Sequence, residues 1–156
     1  MRWESMRGAR THKGLYKPKN PHKYMGDVNN IVFRSSWERT VFRWADLNTG
    51  VSSWSSEELI IPYYDESTNK QRRYFPDMII VNNKGDKFVV EVKPYDQTVP
   101  PKPPKTNRKS TQERYLNETL EYGKNISKWK AAEAWCEKRG FKFIILTEKE
   151  IFGNGK

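Results

Sequence analysis

The sequence predicts an α/β (α+β) domain built on a central mixed β-sheet flanked by helices. Three stretches predict it. Tyr74 to Lys93 reads as a β-hairpin, two apolar runs around the turn signal Asn82-Asn83-Lys84-Gly85-Asp86. Ser35 to Leu47 carries apolar residues at helical spacing. Ser127 to Arg139 is a second helix, stopped by Gly140 and followed by the apolar run Phe141 to Thr147. Helix, glycine, then apolar strand is the second half of a crossover. That strand therefore adds in parallel to the hairpin and makes the sheet mixed.

The first helix follows from Ser35 and Glu38, spaced as a capping box, with Trp37, Val41 and Trp44 on one line and Phe42 and Ala45 on another. Asn48-Thr49-Gly50 ends it, and Val51 to Ser56, small and polar, shows no element. Glu58 to Tyr64 reads as a strand with Pro62 at an edge or end. Asp65 to Lys70 is a polar turn into residues 71–75 and the hairpin, so this part of the sheet is expected to be antiparallel. Ser110 to Tyr122 opens on another capping-box pattern and is expected to be a separate polar helix, with Tyr115, Leu116, Leu120 and Tyr122 as its modest apolar set. Cys136 falls on the apolar stripe of the last helix. With no histidine after it, it reads as core and not as a nucleophile.

At 156 residues the chain is most simply one domain, with a net charge of +10 that points to a polyanionic partner, nucleic acid before membrane. One cysteine permits no internal disulfide and suits a reducing compartment. No stretch approaches the roughly 20 apolar residues of a membrane span, and no signal-peptide core is present. The expectation is a soluble cytoplasmic protein.

The charge is uneven. Residues 1–35 hold eight Lys/Arg against two acids, residues 36–99 hold eight against ten, and residues 100–114 hold five against one. Residues 1–33, broken by Gly8, Gly14, Pro18, Pro21 and Gly26, read as a basic irregular arm, with Trp3, Tyr16 and Tyr24 among the bases. Residues 34–156 form the expected domain, with 94–110 a stiff Pro-rich basic insert that touches DNA or a partner. Arg7, Arg10, Lys13, Lys17, Lys102, Lys105, Arg108, Lys128 and Lys130 are the expected phosphate contacts. His12 and His22 have no Cys or acid partners nearby and read as phosphate-facing or exposed.

The hairpin carries the chemistry. Alternation places Val89, Glu91 and Lys93 on one face and Phe88, Val90 and Val92 on the other. Asp77, Ile79 and Val81 share a face of the first strand. Whether that is Glu91's face depends on the register of the hairpin. Phosphodiester hydrolysis wants a hard cation held by carboxylates and a fixed positive charge near the attacking water. Asp77 and Glu91 are the candidate metal ligands, with the backbone carbonyl of Val92 as a further oxygen. Lys93 is the candidate holder of water or phosphate. Glu38, at the edge of the first helix's apolar face, is a third acid, ligating directly or through water, or else serving only to complete the cap. Such a ligand count suits Mg2+, with Mn2+ as an alternative.

The pattern Pro76-Asp77…Glu91-Val92-Lys93 with Glu38 upstream resembles the PD-(D/E)XK nuclease superfamily. The resemblance extends through Ser36-Trp37-Glu38-Arg39, Phe75-Pro76-Asp77, Glu91-Val92-Lys93-Pro94 and Lys130-Ala131-Ala132-Glu133 to Leu146-Thr147-Glu148. It is to the TnsA-like branch and, within that, to the head-completion nucleases of T-even-type phages. It implies a restriction-endonuclease-like core and magnesium-dependent cleavage of double-stranded DNA, endo or exo. It maps the family's catalytic acids onto Glu38, Asp77 and Glu91, and its lysine onto Lys93. It further implies action in head completion and head–tail joining, trimming packaged DNA, with portal, neck or tail proteins as partners, in the host cytoplasm or the virion. Two other readings stand beside it: a structural connector of the virion that needs no catalysis, and a repair or junction-resolving nuclease of the same superfamily.

Overall fold

The computed structural model describes residues 13–153. Its centre is a four-stranded sheet of order β3-β6-β7-β8, with β3 (Val51–Ser56), β6 (Met78–Asn82) and β7 (Lys87–Val92) antiparallel in turn and β8 (Phe141–Leu146) parallel to β7. The mixed sheet and the parallel last strand are as the sequence predicts. Asn82 makes the β6–β7 turn: its side-chain oxygen accepts from the amides of Lys84 and Asp86, and Gly85 takes φ +88°.

Alternation divides the core between two faces. Met78, Ile80, Val90 and Val92 pack with Val41, Phe42 and Ala45 of α1 (Ser36–Leu47), and Ile144 and Leu146 of β8 join them. Phe143 and Ile145, the intervening residues of β8, pack instead with Trp129 and Ala132 of α2 (Lys109–Arg139). The same second cluster takes in Ile61, Tyr63 and Tyr74 of a separate antiparallel pair, β4 (Ile61–Asp65) and β5 (Lys70–Tyr74). Those two strands were expected to extend the main sheet. They form their own two-stranded sheet against α2.

Three further expectations are corrected. Residues 51–56 are a strand. The stretch lacks an apolar alternation, but Trp54 fills the centre of the first cluster with no exposure, its ring 4.8 Å from that of Tyr24 and 5.2 Å from that of Phe42. The two helices expected after residue 109 are one helix of 31 residues. Asn125, Trp129, Ala132 and Cys136 form one buried stripe along it, and Gly123 interrupts nothing. No capping box opens this helix, Arg108 at its N-cap making no side-chain bond, and Leu116 and Leu120 are exposed.

The third correction concerns residues 13–33, which were assigned to an arm outside the domain. They are largely irregular, as expected, but they are packed. Tyr16, Tyr24 and Ile31 belong to the first cluster, and β1 (Gly14–Leu15) pairs with β2 (Val32–Phe33). Two charges tie the segment to the end of α1. Lys23 Nζ donates to the carbonyls of Ala45, Asp46 and Asn48 at 2.8, 2.9 and 2.8 Å, satisfying acceptors that a helix end leaves open. Asp46 accepts from the Tyr16 hydroxyl and from the amides of Lys19 and Asn20.

Gly140 ends α2 with φ +77°, and Thr147 caps α3 (Glu148–Ile151) in a capping box with Glu150. Cys136 lies in the core, and burial pushes its thiol up to about 11, the behaviour of an inert side chain. Among the described residues no helix is long and apolar enough to cross a membrane.

Candidate active site

The strands place the acids. The last β6–β7 pair is Met78 with Val90, and the last β3–β6 pair is Ser56 with Met78. One residue further, Glu57, Asp77 and Glu91 fall in one row across three strand ends. Asp77 thus comes opposite Glu91 and on its face, which the sequence left open. The Glu57 amide donates to the Asp77 carbonyl at 3.3 Å, and Asp77 Oδ2 accepts the Val92 amide at 2.7 Å. The Val92 backbone therefore lies beside the Asp77 carboxylate. The Lys93 amide donates to the Leu146 carbonyl at 2.9 Å, so β8 anchors the end of β7.

Glu91 is buried at the end of β7. Its Oε1 accepts from the Tyr74 hydroxyl, and its Oε2 stands 3.5 Å from Lys93 Nζ. Glu38 enters from the first turn of α1. Ser35 Oγ accepts the Glu38 amide at 3.1 Å, as a cap should, but the Glu38 carboxylate does not return the bond to Ser35. It accepts instead from the Arg34 amide at 2.8 Å and stays buried. The Arg34 guanidinium meanwhile pairs with Glu57.

The electrostatics show these acids crowding one another. Burial, then Glu91 and Glu38, push the Asp77 carboxyl well above the ordinary carboxylate range. Burial, with repulsion from Glu57 and Glu91, pushes Glu38 up to about 7, against the lowering effect of the Arg34 amide. Burial and the Glu91 charge push the Tyr74 hydroxyl far upward, so it stays a donor to Glu91.

Carboxylates held together at such a cost form a donor set for a hard cation. Among the described residues no group of three or more His, Cys, Asp or Glu side chains is placed to hold a metal ion. The donors present, Asp77 and Glu91 with the Val92 backbone beside them, fit an ion that keeps most of its waters, as Mg2+ does.

The expected phosphate contacts fare unevenly. Arg7 and Arg10, like His12, lie outside the described residues. Lys102, Lys105 and Arg108 are exposed on the Pro-rich segment, which folds beside α2, so that Pro100, Pro101 and Lys102 line a pocket of about 260 Å³ with Glu118 and Tyr122. Lys13 and Lys17 are exposed, but Lys17 lies in the chain between Tyr16 and Lys19, which both bond Asp46 at the opposite end of α1 from Glu38. Lys130 is exposed on α2, whereas Lys128 is half-buried, its Nζ 5.8 Å from the centroid of the Tyr74 ring.

Sequence reasoning missed Arg34, Glu57 and Tyr74. Glu57 follows a strand that itself went unread, and it holds a left-handed φ of 53°. Tyr74 reaches Glu91 across 17 positions, a contact with no local signal.

The family described as TnsA-like endonuclease N terminal matches residues 48–148, which include Asp77, Glu91 and Lys93. The head completion nuclease of Enterobacteria phage T4 is 42% identical over 137 residues, 88% of this chain and 91% of that protein. No solved structure matches. A match across most of the sheet and α2, together with a relative that pairs with nearly the whole chain, shows that this chain belongs to the TnsA-like endonuclease family.

Proposed function

We propose that the chain is a magnesium-dependent deoxyribonuclease that acts in phage head completion, trimming packaged DNA before head–tail joining. The observation that carries the chemistry is the convergence of Glu38, Asp77 and Glu91 with Lys93 against Glu91. The role in head completion rests on the name of the 42% identical relative. Portal, neck or tail proteins would be its partners, and the host cytoplasm or the virion its place of action.

Mg2+, or Mn2+ in its place, would be held by Asp77, Glu91 and the backbone carbonyl of Val92, with Glu38 reaching it through a water. It would supply charge stabilisation at the phosphate and lower the pKa of water. The protein's own groups do the rest. The Val92 amide holds Asp77 in place, and the Tyr74 hydroxyl does the same for Glu91, so neither carboxylate must be ordered during the reaction. Lys93 donates to the attacking water or to a phosphate oxygen. The water oxygen bonds to phosphorus, the bond from phosphorus to the leaving sugar oxygen breaks, and that oxygen takes a proton. One end then carries a phosphate and the other a hydroxyl. Lys102, Lys105, Arg108 and Lys130 hold the DNA backbone around the site.

Supercoiled plasmid and linear duplex, each incubated with and without magnesium, test the reading. The wild type should cut only with magnesium, and Asp77→Ala and Lys93→Ala should each lose at least about 100-fold. Retained cleavage in both variants would refute the site. A wild type that never cuts would favour a purely structural virion protein.

A further inference from the structure

We propose that Lys128 is a second catalytic lysine, which grips the scissile phosphate together with Lys93; this rests on the nuclease reading above. Helix α2 carries Lys128 between Asn125 and Trp129, both buried, so the helix turns it toward the sheet. Its Nζ lies over the Tyr74 ring, 5.8 Å from the centroid, and the Tyr74 hydroxyl donates to Glu91. From the other side, Lys93 Nζ stands 3.5 Å from the second Glu91 oxygen. The charge of Glu91 thus acts on two ammonium groups, Lys93 and Lys128.

That arrangement is unbalanced. Among the described residues Lys128 makes no ion pair, whereas Lys124 pairs with Glu121 and Lys93 with Glu91. The charges acting on Lys128 are Lys93 and Lys124, which repel it, and Glu91 and Glu121, which attract it. A half-buried cation beside a like charge is costly unless an anion joins them. With a cation bound beside it, the Glu91 charge would be shared with that ion, and a phosphate oxygen would be the anion that offsets the two lysines. Lys130, two positions on, is exposed and has no such surroundings.

In the reaction Lys128 and Lys93 donate hydrogen bonds to the two non-bridging oxygens and transfer no proton. The bonds made and broken are those of water attack and loss of the leaving sugar oxygen, as above. Two donors fixed on oxygens that gain charge lower the barrier more than they tighten ground-state binding.

The test compares wild type, Lys128→Gln, Lys128→Arg, Lys130→Gln and Asp77→Asn on one linear DNA duplex. Single-turnover cleavage is measured with magnesium at saturating protein. Affinity for the same duplex is measured by fluorescence anisotropy with calcium in place of magnesium. Lys128→Gln should cut about 100-fold more slowly or worse, as for loss of one donor to a developing charge. Its affinity and melting temperature should stay near those of the wild type, and Lys128→Arg should recover most of the rate. Lys130→Gln should weaken binding, the effect of losing a backbone contact. The proposal is overturned if Lys128→Gln cuts at the wild-type rate when saturated, or if its slow cleavage only tracks a fallen melting temperature that Lys128→Arg does not restore. A wild type that cuts nothing overturns the nuclease reading and this proposal together. Loss of cleavage in Asp77→Asn alone overturns this proposal and leaves that reading standing.

Discussion

Replacing Glu38 with Gln should stabilise the metal-free protein, and by an amount that depends on pH. The Glu38 carboxyl rises from 4.5 to about 7 through burial and its neighbours Glu57 and Glu91. At about 1.4 kcal/mol for each tenfold change, that distance corresponds to about 3 kcal/mol at most. The sign follows from proton uptake. Near pH 4.5 the folded protein carries Glu38 protonated and suffers little. Between pH 4.5 and 7 the unfolded chain has lost this proton and the folded protein keeps it, so stability falls as pH rises. Above pH 7 the penalty is complete. Gln retains an oxygen for the Arg34 amide, which now donates to Glu38 at 2.8 Å, so the substitution removes the charge and keeps the bond. Urea unfolding in EDTA at pH 4.5 and pH 8.5 measures the difference. The variant should gain under about 1 kcal/mol at the lower pH and about 3 kcal/mol at the higher. An equal gap at both pH values would show that Glu38 is not electrostatically crowded, and a wild type favoured at pH 8.5 would reverse the argument.

Four further outcomes are expected. Gly123→Ala, in a helix interior with open space around its Cβ, should raise stability to urea by about 0.5–1 kcal/mol, and a loss would mean that α2 breaks there. Trp54→Ala should cost about 3–5 kcal/mol by the same measurement, since the ring is fully buried among Tyr16, Tyr24 and Phe42; a cost under 1 would deny β3 its place in the core. Lys23→Met should cost about 1–3 kcal/mol by leaving the Ala45 carbonyl without a donor and taking one of two from the Asp46 and Asn48 carbonyls, and a neutral result would return residues 13–33 to the status of a loose arm. Asp65, held at about 2 by Ser67 and then by Thr68 and Arg72, contributes stability above its ordinary value near 4 that is lost as pH falls toward 2. Thermal unfolding of Asp65→Asn should therefore start below wild type at pH 7 and converge with it near pH 2; a gap that persists in acid would point to lost hydrogen bonds alone.

What could be read from the sequence was whatever is local. The alternation of residues 88–93 put Glu91 and Lys93 on one face because the period of a strand admits nothing else. Phe141 to Leu146 could be placed parallel to the hairpin because a helix and a glycine stand before it. The register that sets Asp77 opposite Glu91 depends on the Asn82 turn bonds, and a slip of one residue would satisfy the same composition. Val51 to Ser56 hid because one tryptophan does the packing that a pattern usually shares. The charge of residues 13–33 concealed Tyr16, Tyr24 and Ile31, and Gly123 concealed a stripe that continues past it. Arg34, Glu57 and Tyr74 meet the acids only through distant pairings, which a single chain does not spell out.

The bond from the Lys93 amide to the Leu146 carbonyl has a consequence for the order of events during synthesis. Asp77 and Glu91 sit on a hairpin of local pairing, which can form as soon as it leaves the ribosome. The wall behind them comes later in the chain: α2 begins only at Lys109, and β8 begins more than forty residues after β7 ends. Until then the end of β7 has an open edge and Lys128 is not beside Tyr74. A nascent chain therefore holds its acids before it holds the frame that aims them, and cutting should begin only once translation has passed residue 146.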